Sequence, residues 1–173
     1  MNIVLGATGQ IGSMLVNKLF QKGQPVRAVV RNEAKALELR KMGIEVIVVD
    51  YLDREALIKA FQGGKTVFLL TPEDPKSKNH MGEVRLMIGN YREAVQASGI
   101  QKIVGLSSMG AQHESDTGSL FASYLLEQAF SGLNTEQIFV RPAYYYSNWI
   151  GYLELVMARA FCQPFFHPAW NYP

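Results

Sequence analysis

Cysteine is almost missing from this chain of 173 residues: Cys162 stands alone. A lone thiol excludes an internal disulfide and a cysteine-based metal site. Histidine is scarce as well. His80, His113 and His167 share no ligand spacing with one another or with acidic residues, so no metal centre is expected. Charged residues make up 18% of the chain, below the usual ~25%. They comprise 17 basic and 15 acidic side chains for a net +2, with no basic run. Nucleic-acid binding therefore has no electrostatic support. No apolar run approaches the ~20 residues of a membrane span, and nothing ahead of the first apolar segment reads as a signal peptide. The expectation is a soluble, cytoplasmic protein without a membrane partner. At this length it is large enough to bury roughly 70% of the surface its unfolded form exposes.

What is present in quantity is apolar residues, 48% of the total, arranged in short runs separated by amphipathic stretches. The runs Ile3–Leu5, Val26–Val30, Glu45–Val49, Thr66–Leu70, Lys102–Leu106 and Glu136–Val140 are rich in Val, Ile and Leu and nearly continuous, as strands covered on both faces should be. Helical spacing falls between them, over 10–22, 33–42, 54–62, 79–98 and 119–131. Asn32 and Asp53 sit where N-caps belong, and Gly23, Gly43, Gly63, Gly99 and Gly132 where helices end. Alternating strands and helices predict an α/β fold: a doubly wound parallel sheet of about six strands with helices on both faces. Residues 1–150 form that domain, and 151–173 a short helix and an aromatic, proline-rich tail. The stretches Thr71–Lys78 and Ser108–Gly118 follow strands and should line the crevice at the strands' carboxyl ends. Glu73-Asp74-Pro75 within the first reads as a solvated turn.

The most informative segment is Gly6-Ala7-Thr8-Gly9-Gln10-Ile11-Gly12, directly after the first strand and opening a helix with Ile11, Met14, Leu15 and Leu19 on its apolar spacing. A plain βα turn would carry similar glycines. Placed between the two elements the mechanism needs, they let backbone approach a pyrophosphate and aim helix N–H groups at it. Gly6, Thr8, Gly9, Gln10, Ile11 and Gly12 are the candidate contacts. Arg31, 19 residues past Gly12, ends the second strand where NAD enzymes place an acid for the ribose 2′-hydroxyl. A guanidinium there suits a 2′-phosphate, with Lys35 a second cation. NADP(H) is the expected cofactor; neighbouring Glu33 keeps NAD(H) open.

The Gly-x-x-Gly-x-x-Gly spacing, with Ala7-Thr8 inside it, resembles the extended and atypical short-chain dehydrogenase/reductases, most of all the NmrA-like group over about residues 1–150. That group contains NADPH-dependent quinone reductases and non-catalytic redox sensors, and it often carries Val-Arg-Asn followed by lysine for the 2′-phosphate. The resemblance implies that Asp50 and Tyr51 border the adenine. It also implies that the main chain of Leu70, Thr71 and Pro72 passes beneath the ribose and nicotinamide.

The short-chain reaction uses a tyrosine and a lysine one helical turn apart, the lysine lowering the phenol pKa, and a serine after the fifth strand. Ser107 supplies the serine, which also places it beside the cofactor. Tyr124 is followed four residues later by Gln128, and its helix holds no lysine, so the phenol has no evident activation. Tyr124 reads as a half-buried helix residue beside Phe121 and Leu125. A quinone needs little acid help, so a hydroxyl, an amide or water is enough. Arg141-Pro142 followed by Tyr144, Tyr145 and Asn148 resembles the family's substrate-side segment, an aromatic wall with one polar anchor. Ser107, Tyr124, Tyr145 and Asn148 are thus the catalytic candidates.

Two functions remain open: an NADP(H)-dependent reductase of a quinone or small carbonyl compound, and a non-catalytic dinucleotide sensor that binds a protein partner. A sugar-nucleotide epimerase is a weaker third, disfavoured by the missing lysine. Members of the group continue past the sixth strand into a seventh strand, a helix and a substrate lid. Here a helix over 150–161 is followed by Phe161, Phe165, Phe166, Trp170 and Tyr172. Such an end is expected to pack back on the fold or to be covered in a homo-oligomer, unless the chain is a shortened relative.

Overall fold

A computed structural model of the chain describes residues 1–72, 77–114 and 120–162. The turn at Glu73-Asp74-Pro75 and the tail aromatics Phe165, Phe166, Trp170 and Tyr172 lie outside these residues. The chain divides into two compact units, Met1–Arg141 and 142–173.

The first unit contains β1 (Asn2–Leu5), α1 (Gln10–Gln21), β2 (Val26–Val30), α2 (Ala36–Lys41, led in by a 3₁₀ turn at Glu33–Lys35), β3 (Glu45–Val48), α3 (Arg54–Phe61), β4 (Thr66–Leu69), α4 (His80–Ser98), β5 (Lys102–Leu106), α5 (Leu120–Gln128) and β6 (Glu136–Val140). All strand pairs are parallel, in the order β3-β2-β1-β4-β5-β6. The doubly wound sheet expected from the alternating pattern is therefore the fold. Strand order reverses at β1, which pairs β2 on one side and β4 on the other, and such a reversal opens a crevice at the strands' carboxyl ends.

Two apolar layers cover the sheet. Val16 of α1 and Ala36 and Leu39 of α2 pack with Val4, Ala28, Val30 and Phe68. On the other face Leu57 of α3, Val84 and Tyr91 of α4 and Leu126 of α5 pack with Ile3, Leu5, Val29 and Ile103. The central strands β1, β2 and β4 are buried nearly throughout, as their composition predicts. β3 and β6 are edges and stay partly exposed, β6 alternating residue by residue; their apolar sequences overstate their burial. Met14 of α1 is also exposed, because the buried stripe of that helix runs through Gly12 and Val16, four residues apart, and Met14 lies on the opposite face. Asn32 and Asp53 cap their helices, accepting the backbone N–H of Ala34 and Ala56.

The second unit holds α6 (Ser147–Cys162), which starts three residues earlier than the 150–161 pattern suggests and so takes in Ser147, Asn148 and Trp149.

Candidate functional site

The glycine turn links β1 to α1 at the point where strand order reverses. Gly6 lies at φ +62°, a left-handed conformation that side chains disfavour. A Cβ on Gly12 would come within 2.1 Å of the Gly6 carbonyl oxygen, so only glycine allows α1 to start that close to the turn. Gly9 differs. It is exposed, and its added Cβ would meet only the Gly6 carbonyl oxygen, at 3.2 Å. Gly9 is also the N-cap of α1 and offers no side chain to its first-turn N–H groups. A helix start left this way has N–H groups that can meet an anion.

Beside the turn, Arg31 directly follows β2, with its guanidinium 5.7 Å above the ring of Tyr51. Arg31 and Lys35 are exposed and make no salt bridge among the described residues. Glu33, the acidic neighbour that kept NAD(H) open, is instead ion-paired with Arg40. A cavity of about 180 Å³ is lined by Arg31, Tyr51, Leu52, Pro72, His80 and Glu83, with Val84 and Met87 behind them. Asp50 is exposed at the end of β3, where one carboxylate oxygen accepts the Leu52 N–H at 3.0 Å. It thus closes a local turn, while Asp53 caps α3 as expected. Leu70, Thr71 and Pro72 are partly buried at the end of β4. His80, which the sequence marks only as lacking metal-ligand spacing, belongs to this site. It lines the cavity, and its Nε2 is buried without a hydrogen-bond partner among the described residues.

Tyr51 is 3% exposed, and its hydroxyl is not turned to solvent. The hydroxyl accepts the Gly6 N–H at 2.7 Å and donates to the Val29 carbonyl at 3.4 Å. Burial pushes its pKa up, opposed by the Gly6 N–H and the Arg31 charge, so the phenol keeps the proton it donates. Asn90 of α4 donates to the carbonyls of Tyr51 and Leu52 at 3.1 and 3.0 Å. Tyr91, next on α4, donates to the Leu70 carbonyl at 3.2 Å and meets the Tyr51 ring edge-on at 5.9 Å. Sequence reading missed Asn90 and Tyr91, because nothing local distinguishes a polar residue buried on a long helix.

Ser107 follows β5 as expected and is 5% exposed. Its hydroxyl donates to Glu127 Oε1 at 2.5 Å. Arg141 grips the same carboxylate with two bonds, at 2.8 and 2.5 Å. Glu127 was not singled out from the sequence. The Arg141 hydrogen bonds, seconded by Ser107, hold its carboxyl below the usual range against the opposing effect of burial. A depressed folded pKa stabilises the fold above the unfolded value, and that contribution is lost as pH falls through the folded one. Glu127→Gln should therefore destabilise by about 1–2 kcal/mol at pH 7, a charge-assisted pair discounted for the half-exposed Arg141. The gap between variant and wild type in denaturant melts should close as pH falls through the lowered carboxyl pKa. A constant gap across that range would count against the carboxylate's role.

Tyr124 is half-buried and stacked on Phe121 at 5.6 Å, as its sequence context suggested. Arg85 lies over Phe121 at 5.4 Å. In the second unit Tyr144 meets Trp149 edge-on at 5.9 Å, and Trp149 meets Tyr152 at 6.4 Å. Hydrogen bonding to Tyr152 raises the Tyr144 pKa, against a smaller opposite effect of Asn148. Tyr145 is partly buried, which raises its phenol, and its carbonyl accepts the Asn148 N–H as α6 begins. The candidate residues thus fall into two groups, Ser107 and Tyr124 in the first unit and Tyr145 and Asn148 in the second. Among the described residues no three His, Cys, Asp or Glu side chains converge on a metal site, and no helix is long and apolar enough to cross a membrane.

Residues 6–136 match the model of a family described as NAD(P)H-binding. The (4-alkanoyl-5-oxo-2,5-dihydrofuran-3-yl)methyl phosphate reductase of Streptomyces griseus is 31% identical over 156 residues, covering 88% of this chain and 50% of that protein. Among solved structures, Citrobacter triphenylmethane reductase complexed with NADP(H) superposes with a TM-score of 0.78 at 28% identity, covering 91% of this chain and 55% of that one. The NADPH complex of an Escherichia coli NADPH-dependent quinone oxidoreductase gives 0.76 at 27%, covering 92% and 55%. The chain spans about half the length of these relatives.

Proposed function

The chain belongs to the NAD(P)H-binding family, among the NmrA-like atypical short-chain reductases, and on that footing we propose that it is an NADP(H)-dependent reductase of a flat, electron-poor acceptor such as a quinone. The observation that carries this reading is the exposed Arg31 beside the glycine turn, with Glu33 neutralised by Arg40. The Gly6–Gly12 turn and the start of α1 hold the pyrophosphate. Arg31 and Lys35 pair with the 2′-phosphate, Asp50 and the cavity around Tyr51 take the adenosine, and main chain at Leu70, Thr71 and Pro72 runs under the nicotinamide ribose. The residues fit the group: Gly12 has no room for a Cβ, and the His80 nitrogen, without a partner among the described residues, stands at the cavity wall, where an unpaired buried polar atom costs about 1–3 kcal/mol.

When bound, the reduced dinucleotide supplies a hydride. The chain's own part is to orient and to exclude water. Tyr124 has no cation on its helix, and the Ser107 hydroxyl proton is engaged by Glu127. Acid catalysis from either is weak, which suits an acceptor whose reduced form is stabilised by its own aromatic ring. The relatives named for quinone and triphenylmethane reduction support that class. NADPH consumption followed against a panel of small quinones tests the proposal, with turnover expected and none contradicting it.

The locked Ser107 also favours a second reading, a non-catalytic dinucleotide sensor acting on a protein partner. Strong discrimination between NADPH and NADP⁺ without turnover would mark it. Self-association is proposed on α6, whose Tyr152, Leu153, Leu155, Val156 and Met157 are all at least half exposed. Light scattering should give a dimer or larger, and a strict monomer at tens of micromolar would contradict that assignment.

A further inference from the structure

We propose that Tyr51 is a positioning residue that fastens the glycine turn to the floor of the crevice and sets it relative to the arginine beside it. The proposal rests on the dinucleotide reading and goes beyond it by giving the residue after Asp50 a task other than bordering the adenine. Three observations carry it. The Tyr51 hydroxyl reaches across 45 residues of sequence to take the Gly6 N–H at 2.7 Å, and it reaches the Val29 carbonyl at the end of β2. The face of the same ring lies under the Arg31 guanidinium. The ring in turn is held from α4, through the Asn90 bonds to the Tyr51 and Leu52 carbonyls and the Tyr91 edge.

One buried side chain therefore joins the turn after β1, the end of β2 and the end of β3. Tyr91, which packs on it, reaches the end of β4 through the Leu70 carbonyl. Gly6 has no side chain and sits in a left-handed conformation, so the Tyr51 hydroxyl is the side-chain partner that fixes the turn, alongside the backbone bonds from Ala7 N–H to the Val29 carbonyl at 3.5 Å and from Gly9 N–H to the Gly6 carbonyl at 2.8 Å. Loss of that partner leaves the turn with more conformations to surrender on binding, and affinity falls by that fraction. Loss of the ring also removes the surface under Arg31. The hydroxyl and the ring thus act on different halves of the ligand, which gives the test its resolution.

The experiment compares three probes by calorimetry on the full chain: NADPH, NADH, and adenosine 2′-monophosphate, which has the 2′-phosphate but no pyrophosphate. Tyr51→Phe is expected to weaken NADPH and NADH alike by about five- to tenfold, the worth of one hydrogen bond. Adenosine 2′-monophosphate should stay within twofold. Tyr51→Leu should repeat that loss and also weaken adenosine 2′-monophosphate by about two- to fivefold. A merely structural tyrosine would lower the melting temperature without separating the probes. NADPH affinity unchanged or improved in Tyr51→Phe overturns the proposal, and so does an equal fall for all three probes. The wild-type protein gives an independent check that needs no variant. The Gly6 amide should exchange slowly with deuterium in the absence of ligand, and rapid exchange overturns the proposal even where NADPH binds. Wild type that binds none of the probes overturns the cofactor reading itself, and this proposal with it.

Discussion

Gly9→Val should abolish measurable dinucleotide binding while the sheet stays folded. Gly9 is exposed, and an added Cβ meets only the Gly6 carbonyl oxygen, at 3.2 Å, so a branched side chain has room outward. Outward is where a pyrophosphate must come to reach the N-terminal N–H groups of α1. A valine there holds the phosphates off by more than a hydrogen-bond length, and affinity should fall by roughly a hundredfold or more, as several charge-assisted bonds go together. The comparison with Gly12 sharpens the test. Gly12 is buried, and its added Cβ would stand 2.1 Å from the Gly6 carbonyl oxygen and 2.7 Å from the carbonyl carbon. Gly12→Ala therefore displaces backbone and should lower the melting temperature as well as binding. Circular dichroism and calorimetry on both variants separate the cases. Micromolar binding retained in Gly9→Val would reduce the glycines to a tight turn without a ligand.

Arg31→Ala should weaken NADPH by about 1.5–3 kcal/mol, the range for a charge-assisted hydrogen bond, and leave NADH nearly unchanged. The guanidinium makes no salt bridge among the described residues, so its removal strands no partner charge. Its contact with the Tyr51 ring, 5.7 Å from carbon to centroid, is on an already buried residue. Fold stability should therefore move by only a few tenths of a kcal/mol, as is usual at exposed positions. Lys35→Ala should act in the same direction and less. Equal losses for NADPH and NADH in Arg31→Ala would remove the basis for preferring the phosphorylated dinucleotide.

Much of this architecture is legible in the amino-acid sequence. Short Val/Ile/Leu runs alternating with helical spacings point to strands of a parallel sheet, and the glycine-rich turn after the first run marks the crevice. Where reading failed, it failed for identifiable reasons. The apolar content of β3 and β6 hides their edge positions, because burial depends on which strands lie alongside and not on composition. Met14 fell among the apolar positions yet is exposed, because the buried stripe of α1 runs through Gly12 and Val16, two residues to either side of it and so on the opposite face of the helix. The site's supporting polar contacts were the least legible. Tyr51 meets Gly6 across 45 residues, Asn90 meets Tyr51 across 39, and Ser107 meets Glu127 across 20. Such pairs exist only after the sheet has formed. A signal was available in one case: Glu127 and Arg141 flank β6 at a separation that an α5–β6 connection brings together, and the pairing of an acid with the arginine of Arg-Pro could have been sought.

Calorimetric titration of the wild-type chain with NADPH tests the central claim most directly. The expected result is saturable binding of one NADPH per chain in the micromolar range, tighter than NADH under the same conditions, with a matching rise in melting temperature. No heat of binding and no thermal shift at NADPH concentrations up to about a hundred times that range would contradict the account.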